Sequence, residues 1–164
     1  MQRTILGVSA VVLLSTAAAV WLWGEDSASR EMVLGGAVGF ERETADKPAG
    51  LRTHMIVAGS AALLTGLGNV LVEQIGIHES IIRADPIRMI EAVITGITFL
   101  GAGTIIRNRQ DRTIEGLTTA ASLLLVGALG IGVALNQFVL TVGATILILV
   151  TLRILKASET KMEI

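Results

Sequence analysis

Hydrophobic positions in this chain gather into long uncharged runs, and the charged residues are bunched between them. A helix that crosses a bilayer needs about 20 such residues, because each residue rises about 1.5 Å across a hydrocarbon core of about 30 Å. Thr4 to Trp23 qualifies, with Trp21 and Trp23 placed as interfacial anchors, and so does Met55 to Val72. Gly116 to Leu152 is uncharged for almost two spans, and its polar pair Asn136–Gln137 suits a tight helical hairpin. The stretch 87–106 is a further span, with Arg88 and Glu91 in its first turns. Met32 to Phe40 holds only nine uncharged residues, about 14 Å of helix. A span there carries Arg30, Glu31, Glu41 and Arg42 at its ends, snorkelling or paired; a re-entrant segment is the competing reading. The pattern predicts an all-α, polytopic transmembrane helix bundle of about six spans. They run 4–23, 29–42, 54–72, 87–106, 117–135 and 138–152, in a single membrane-embedded domain over 1–164.

Charge placement orients that bundle. Alternate segments hold ten of the thirteen basic residues: Arg3, Arg42, Lys47, Arg52, Arg107, Arg109, Arg112, Arg153, Lys156 and Lys161. Arg30, Arg83 and Arg88 fall on the other side. By the positive-inside rule both termini face the cytoplasm, which requires an even number of spans. The first span reads as an uncleaved anchor, since its apolar run exceeds the h-region of a signal peptide; small residues at Ser27-Ala28-Ser29 are the feature that favours cleavage.

Composition removes other classes. The chain is 52% apolar and 16% charged with 18 Gly, against about 25% charged residues in an average soluble domain. A net charge of −1 without a basic block excludes a nucleic-acid partner, and the absence of Cys excludes disulfides and Cys-based metal sites. No nucleophile stands beside a base, so no enzyme is expected.

Candidate chemistry lies in the small and polar residues of the spans. Gly35 and Gly39 form a G-x-x-x-G, and Ala58, Ala62 and Gly66 repeat its spacing, which lets helix backbones approach closely. Asp85-Pro86 is a helix start. Arg88, Glu91, Thr95 and Thr98 lie beyond it on one helical face, and Thr65 with Asn69 makes a shorter stripe. Such groups usually face the bundle interior or a wet cavity. One reading is an ion pathway, with Asp85 and Glu91 as oxygen donors for a hard cation such as Mg²⁺; the other is an internal Arg88–Glu91 pair that fixes helix register. Gly101-Ala102-Gly103 lacks a Lys-Ser/Thr after it and reads as close packing. His54 reads as a boundary residue, on the opposite membrane face from His78. The loop from Glu41 to His54 reads either as a solvated linker or as a charge network with Arg107 and Arg112.

Four blocks together resemble the MgtC/SapB family of bacterial inner-membrane proteins: Gly35–Arg42 (GGAVGFER), Lys47–His54 (KPAGLRTH), Asp85–Arg107 (DPIRMIEAVITGITFLGAGTIIR) and Gly116–Leu123 (GLTTAASL). The family-like core is 35–123. The resemblance implies a multi-pass protein of the bacterial cytoplasmic membrane linked to magnesium homeostasis. Its motif residues fall on Glu41, Arg42, Gly50, Arg52, Asp85, Gly101, Gly103, Gly116, Thr118 and Thr119. It also implies action on a membrane partner, with the F-type ATP synthase as leading candidate, in preference to direct transport. Thr98, Leu124 and Glu115 depart from the customary Gly, Trp and basic residue, and the chain is most similar to the short form without a C-terminal soluble domain. The expectation is therefore a non-enzymatic protein that modulates a membrane partner. The alternatives are a direct Mg²⁺ or proton transporter using the polar stripe, and a purely structural homo-oligomer. No cofactor is expected beyond Mg²⁺ as ligand or transported ion.

Overall fold

The computed structural model describes residues 27–76, 85–107 and 114–162. They form α1 (Ser27–Thr44), α2 (Leu51–Gly76), α3 (Pro86–Gly103), β1 (Ile106–Arg107), β2 (Ile114–Glu115), α4 (Leu117–Ala134) and α5 (Phe138–Met162). The predicted first span 4–23 lies outside the described residues, as do the cleavage alternative that depends on it, His78, Arg83, Arg109 and Arg112.

Local chemistry sets most of these boundaries. Asp46 (φ 57°) and Asn136 (φ 59°) each take the left-handed conformation just past a helix end, where Asp and Asn are the tolerated non-glycine residues. Beyond α1, Lys47 N–H donates to the Arg42 carbonyl at 3.0 Å and Asp46 N–H to that of Glu43 at 3.1 Å. Beyond α4, Gln137 N–H donates to Gly132 and Asn136 N–H to Val133, both at 2.8 Å. Both ends are Schellman caps, which satisfy the last orphan carbonyls. The long uncharged run thus folds as two helices turning at the Asn136–Gln137 pair. At the start of α3, Asp85 accepts from Ile87 N–H, and Pro86 occupies the first turn.

The described residues are all-helical apart from one short strand pair, as expected, and two boundaries are corrected. The predicted span 87–106 is helical only to Gly103, because two glycines in the last turn weaken the helix and Thr104 N–H folds back onto the Gly101 carbonyl. Past Thr104 the chain enters that pair of two-residue strands, with Ile106 opposite Glu115 and Arg107 opposite Ile114. Second, α5 runs beyond residue 152 to Met162, into the charged tail. The weak region 32–40 lies within one continuous 18-residue helix, about 27 Å long.

Helix α4 is the centre of the assembly: it packs on α1, α2, α3 and α5. It is apolar on all sides, as a helix surrounded by others should be, and supplies Leu123, Val126, Leu129, Ile131 and Val133 to the core. Small residues set the spacing around it. A Cβ on Gly35 would stand 2.7 Å from Ala58 Cβ, and one on Gly39 would stand 2.8 Å from both His54 Cβ and Leu51 Cα, so α1 lies directly on α2. Gly130 meets the Ala58 carbonyl, and Gly127 receives the Ile97 side chain. The outer faces of α2, α3 and α5 expose large apolar side chains, Phe99 at 80% and Val139 at 91% among them. By length and apolarity α2 (over Leu51–Gln74) and α4 are able to cross a membrane; the apolar part of α5, Phe138–Ile154, is shorter.

Candidate functional site

Three of the four sequence blocks meet where the end of α1, the start of α2 and the first half of α4 converge. Glu41 and Arg42 form a salt bridge of 2.5 Å, their side chains only 5% and 4% exposed. Arg42 Nε–H and one terminal N–H both reach the same Glu41 oxygen. Across the α1–α2 contact, His54 is fully buried. Its Nδ1 lies 2.9 Å from the Gly50 carbonyl and its Nε2 lies 3.0 Å from Ser122 Oγ. Ser122 Oγ in turn donates to the Thr119 carbonyl at 2.8 Å.

A carbonyl can only accept, so Nδ1 carries a proton. Two arrangements then remain for Nε2. A neutral ring accepts from the Ser122 hydroxyl, which must leave the Thr119 carbonyl. A doubly protonated ring donates to Ser122 Oγ, which keeps its bond to Thr119. The orientation of one hydroxyl on α4 is thereby tied to the proton count of a ring on α2.

Neighbouring motif residues hold this arrangement in place. Glu43 Oε2 accepts from Leu51 N–H at 2.8 Å and caps α2, and a Cβ on Gly50 would stand 2.7 Å from that oxygen. Gly116 (φ 87°) leads from β2 into α4 with its α-carbon against the Thr104 carbonyl, a place closed to any side chain. Thr119 is buried and its hydroxyl has no partner among the described residues, whereas Thr118 and Arg52 are exposed. Gly101 packs 3.4 Å from Ala120, counted from a built Cβ, while Gly103 faces open space.

The polar stripe of α3 is elsewhere. Arg88 is 84% exposed and stands 3.8 Å from Asp85, not paired with Glu91. Glu91, Thr95 and Thr98 are exposed too, so the expected inward-facing stripe is turned outward among the described residues. Thr95 and Thr98 hydroxyls donate to the carbonyls of Glu91 and Ile94, at 2.7 and 2.8 Å. Asp85 is occupied with its cap and with Arg88. Among the described residues no three His, Cys, Asp or Glu side chains gather where a metal ion could sit. Thr65 bonds to its own helix through the Ala61 carbonyl.

Two residues hold places that hydropathy alone does not assign. His54, expected at a span boundary, is the hub of the site; it stands one step before Ala58 and Ala62 on the close-packed face of α2, and that spacing is the signal the sequence carries. Glu31, expected as a charge at a span end, is 1% exposed.

The profile of the MgtC family matches residues 31–161. YhiD of Escherichia coli K12, named as a candidate magnesium transporter, is 34% identical over 125 residues, covering 73% of this chain and 54% of its own. Protein SapB of Bacillus subtilis is 37% identical over 102 residues, 62% of this chain and 42% of its own. Protein MgtC of Salmonella typhimurium is 36% identical over 118 residues, 72% of this chain and 46% of its own. The chain spans about half the length of these curated relatives. No solved structure matches. With most of its length matched by the family profile, the chain belongs to the MgtC family.

Proposed function

We propose that this chain is a non-enzymatic, multi-pass protein of the bacterial cytoplasmic membrane that serves Mg²⁺ homeostasis by contacting a membrane-protein partner. It crosses the bilayer about six times, with both termini in the cytoplasm. The buried Glu41–Arg42 pair supports α1 as one of these spans, because its charges turn toward protein.

The observation that carries the reading is the outward direction of the α3 stripe among the described residues. A stripe lining a pathway within one bundle faces its own neighbouring helices; one that faces out is a contact surface. Thr95 and Thr98 have satisfied their hydroxyl protons internally and tolerate lipid. Glu91 does not: it lies about 9 Å along the helix from Asp85, where a carboxylate facing lipid is costly. A donor or cation on a partner helix offsets that cost.

A photoreactive residue at Thr95 tests this in intact membranes. The expected result is one heterologous membrane protein cross-linked in stoichiometric yield, with subunits of the F-type ATP synthase the first to be probed. Recovery of this chain alone, or cross-linked only to itself, overturns the partner reading.

Direct Mg²⁺ or proton transport is the second reading, favoured by the name that YhiD carries. It requires flux in proteoliposomes that falls on Asp85→Asn or Glu91→Gln. A well-folded preparation with no flux removes it.

A further inference from the structure

Helix α1 begins with a charge that has nowhere to go. Glu31 is 1% exposed, and among the described residues neither carboxyl oxygen has a hydrogen-bond partner. Helix α1 packs against α2, α4 and α5. Through Met55–Val72, Leu117–Ala134 and Phe138–Leu152 those three helices carry no ionisable side chain. The neighbouring cation in sequence, Arg30, has its guanidinium carbon 4.9 Å above the Phe138 ring; its Nε is itself buried without a hydrogen-bond partner, and it makes no ion pair with Glu31 among the described residues.

A carboxylate stripped of water and given no donor is strongly disfavoured, and a group so placed neutralises instead. We propose that Glu31 is a proton-binding site enclosed between α1 and its packing partners, its carboxyl held there as the neutral acid. The ligand is a proton and not Mg²⁺, which keeps near-octahedral oxygen coordination; one carboxyl among apolar helices supplies too few oxygens. Ionising Glu31 requires water or a cation to enter between α1 and the helices that cover it. The site is separate from the His54 hub and from the outward stripe of α3.

The test is the infrared difference spectrum of the full chain in lipid at neutral pH, wild type minus E31Q. The expected result is the C=O stretch of a protonated carboxyl, moving to lower frequency in D₂O and unchanged by Mg²⁺ or Na⁺ at fixed pH. A spectrum with carboxylate bands alone overturns the proposal, and so does a protonated band that either cation abolishes. Should E31Q not fold, E31D replaces it, since it keeps the acid and moves the band.

Discussion

His54 Nε2 and Ser122 Oγ, 68 residues apart in the chain, lie 3.0 Å from one another and join α2 to α4 inside the helix assembly. Because Ser122 also reaches the Thr119 carbonyl, the start of α4 and the ring of α2 share one hydroxyl.

Removing that hydroxyl leaves a buried ring nitrogen unpaired, which costs about 1–3 kcal/mol. Ser122→Ala is expected to lower stability by that amount, and His54→Ala by more, because it also empties volume beneath Gly39. A double-mutant cycle on unfolding in mixed micelles should return a coupling of about 0.5–3 kcal/mol. Strict additivity would mean that the two side chains do not interact.

The Glu41–Arg42 pair makes a sharper prediction. Breaking a buried pair by one partner costs about 3–5 kcal/mol, whereas apolar replacement of both is often neutral. Arg42→Met should therefore unfold the protein more readily than the double variant Glu41→Met/Arg42→Met. Equal loss in the two would show that the pair does not act as a unit.

Glycines of similar appearance should behave in opposite ways. Gly39→Ala forces a methyl into His54 and Leu51, with an expected loss of about 1–3 kcal/mol. Gly96, inside α3, has nothing within 4 Å of a built Cβ, so Gly96→Ala should stabilise by about 0.5–1 kcal/mol. Thermal melts of the two variants decide the matter, and Gly103→Ala should melt near the wild type.

Exposed positions on α3 separate function from folding. Arg88→Ala and Glu91→Gln should leave stability within about 0.5 kcal/mol of the wild type while abolishing the Thr95 cross-link and growth at low Mg²⁺. Unchanged growth with both variants present would remove the stripe from the function.

Much of the fold was legible because it rests on short-range chemistry. The hairpin at Asn136–Gln137, the cap at Asp85 and the close approach at Gly35 and Gly39 each come from residue type and spacing. The direction of the α3 stripe was not legible. Helical periodicity places Arg88, Glu91, Thr95 and Thr98 on one face, but which face meets protein depends on Ile97 seating against Gly127, a contact between distant segments. The end of α3 was misjudged for a related reason: hydropathy continues through Ile105 and Ile106, while backbone geometry at Thr104 has already left the helix. His54 was misjudged because hydropathy treats an ionisable residue at the edge of an apolar run as a marker of the interface, and says nothing of a partner on α4.

The inward turn of the charges on α1 bears on how such a protein is made. A single Asp, Lys or Arg at the centre of an isolated helix costs about 2.5–3.5 kcal/mol to insert into a bilayer, and α1 carries Arg30, Glu31, Glu41, Arg42 and Glu43 along its length. Set across the membrane as proposed above, α1 is a poor substrate for insertion by itself. Its Glu41–Arg42 end is sheltered only once α2 lies against Gly35 and Gly39. Emerging from the ribosome before α2, α1 must wait at the membrane surface or in the translocon for α2 to be made. The two then enter as a pair, and a substitution that prises them apart acts during biogenesis, before there is a folded protein to destabilise.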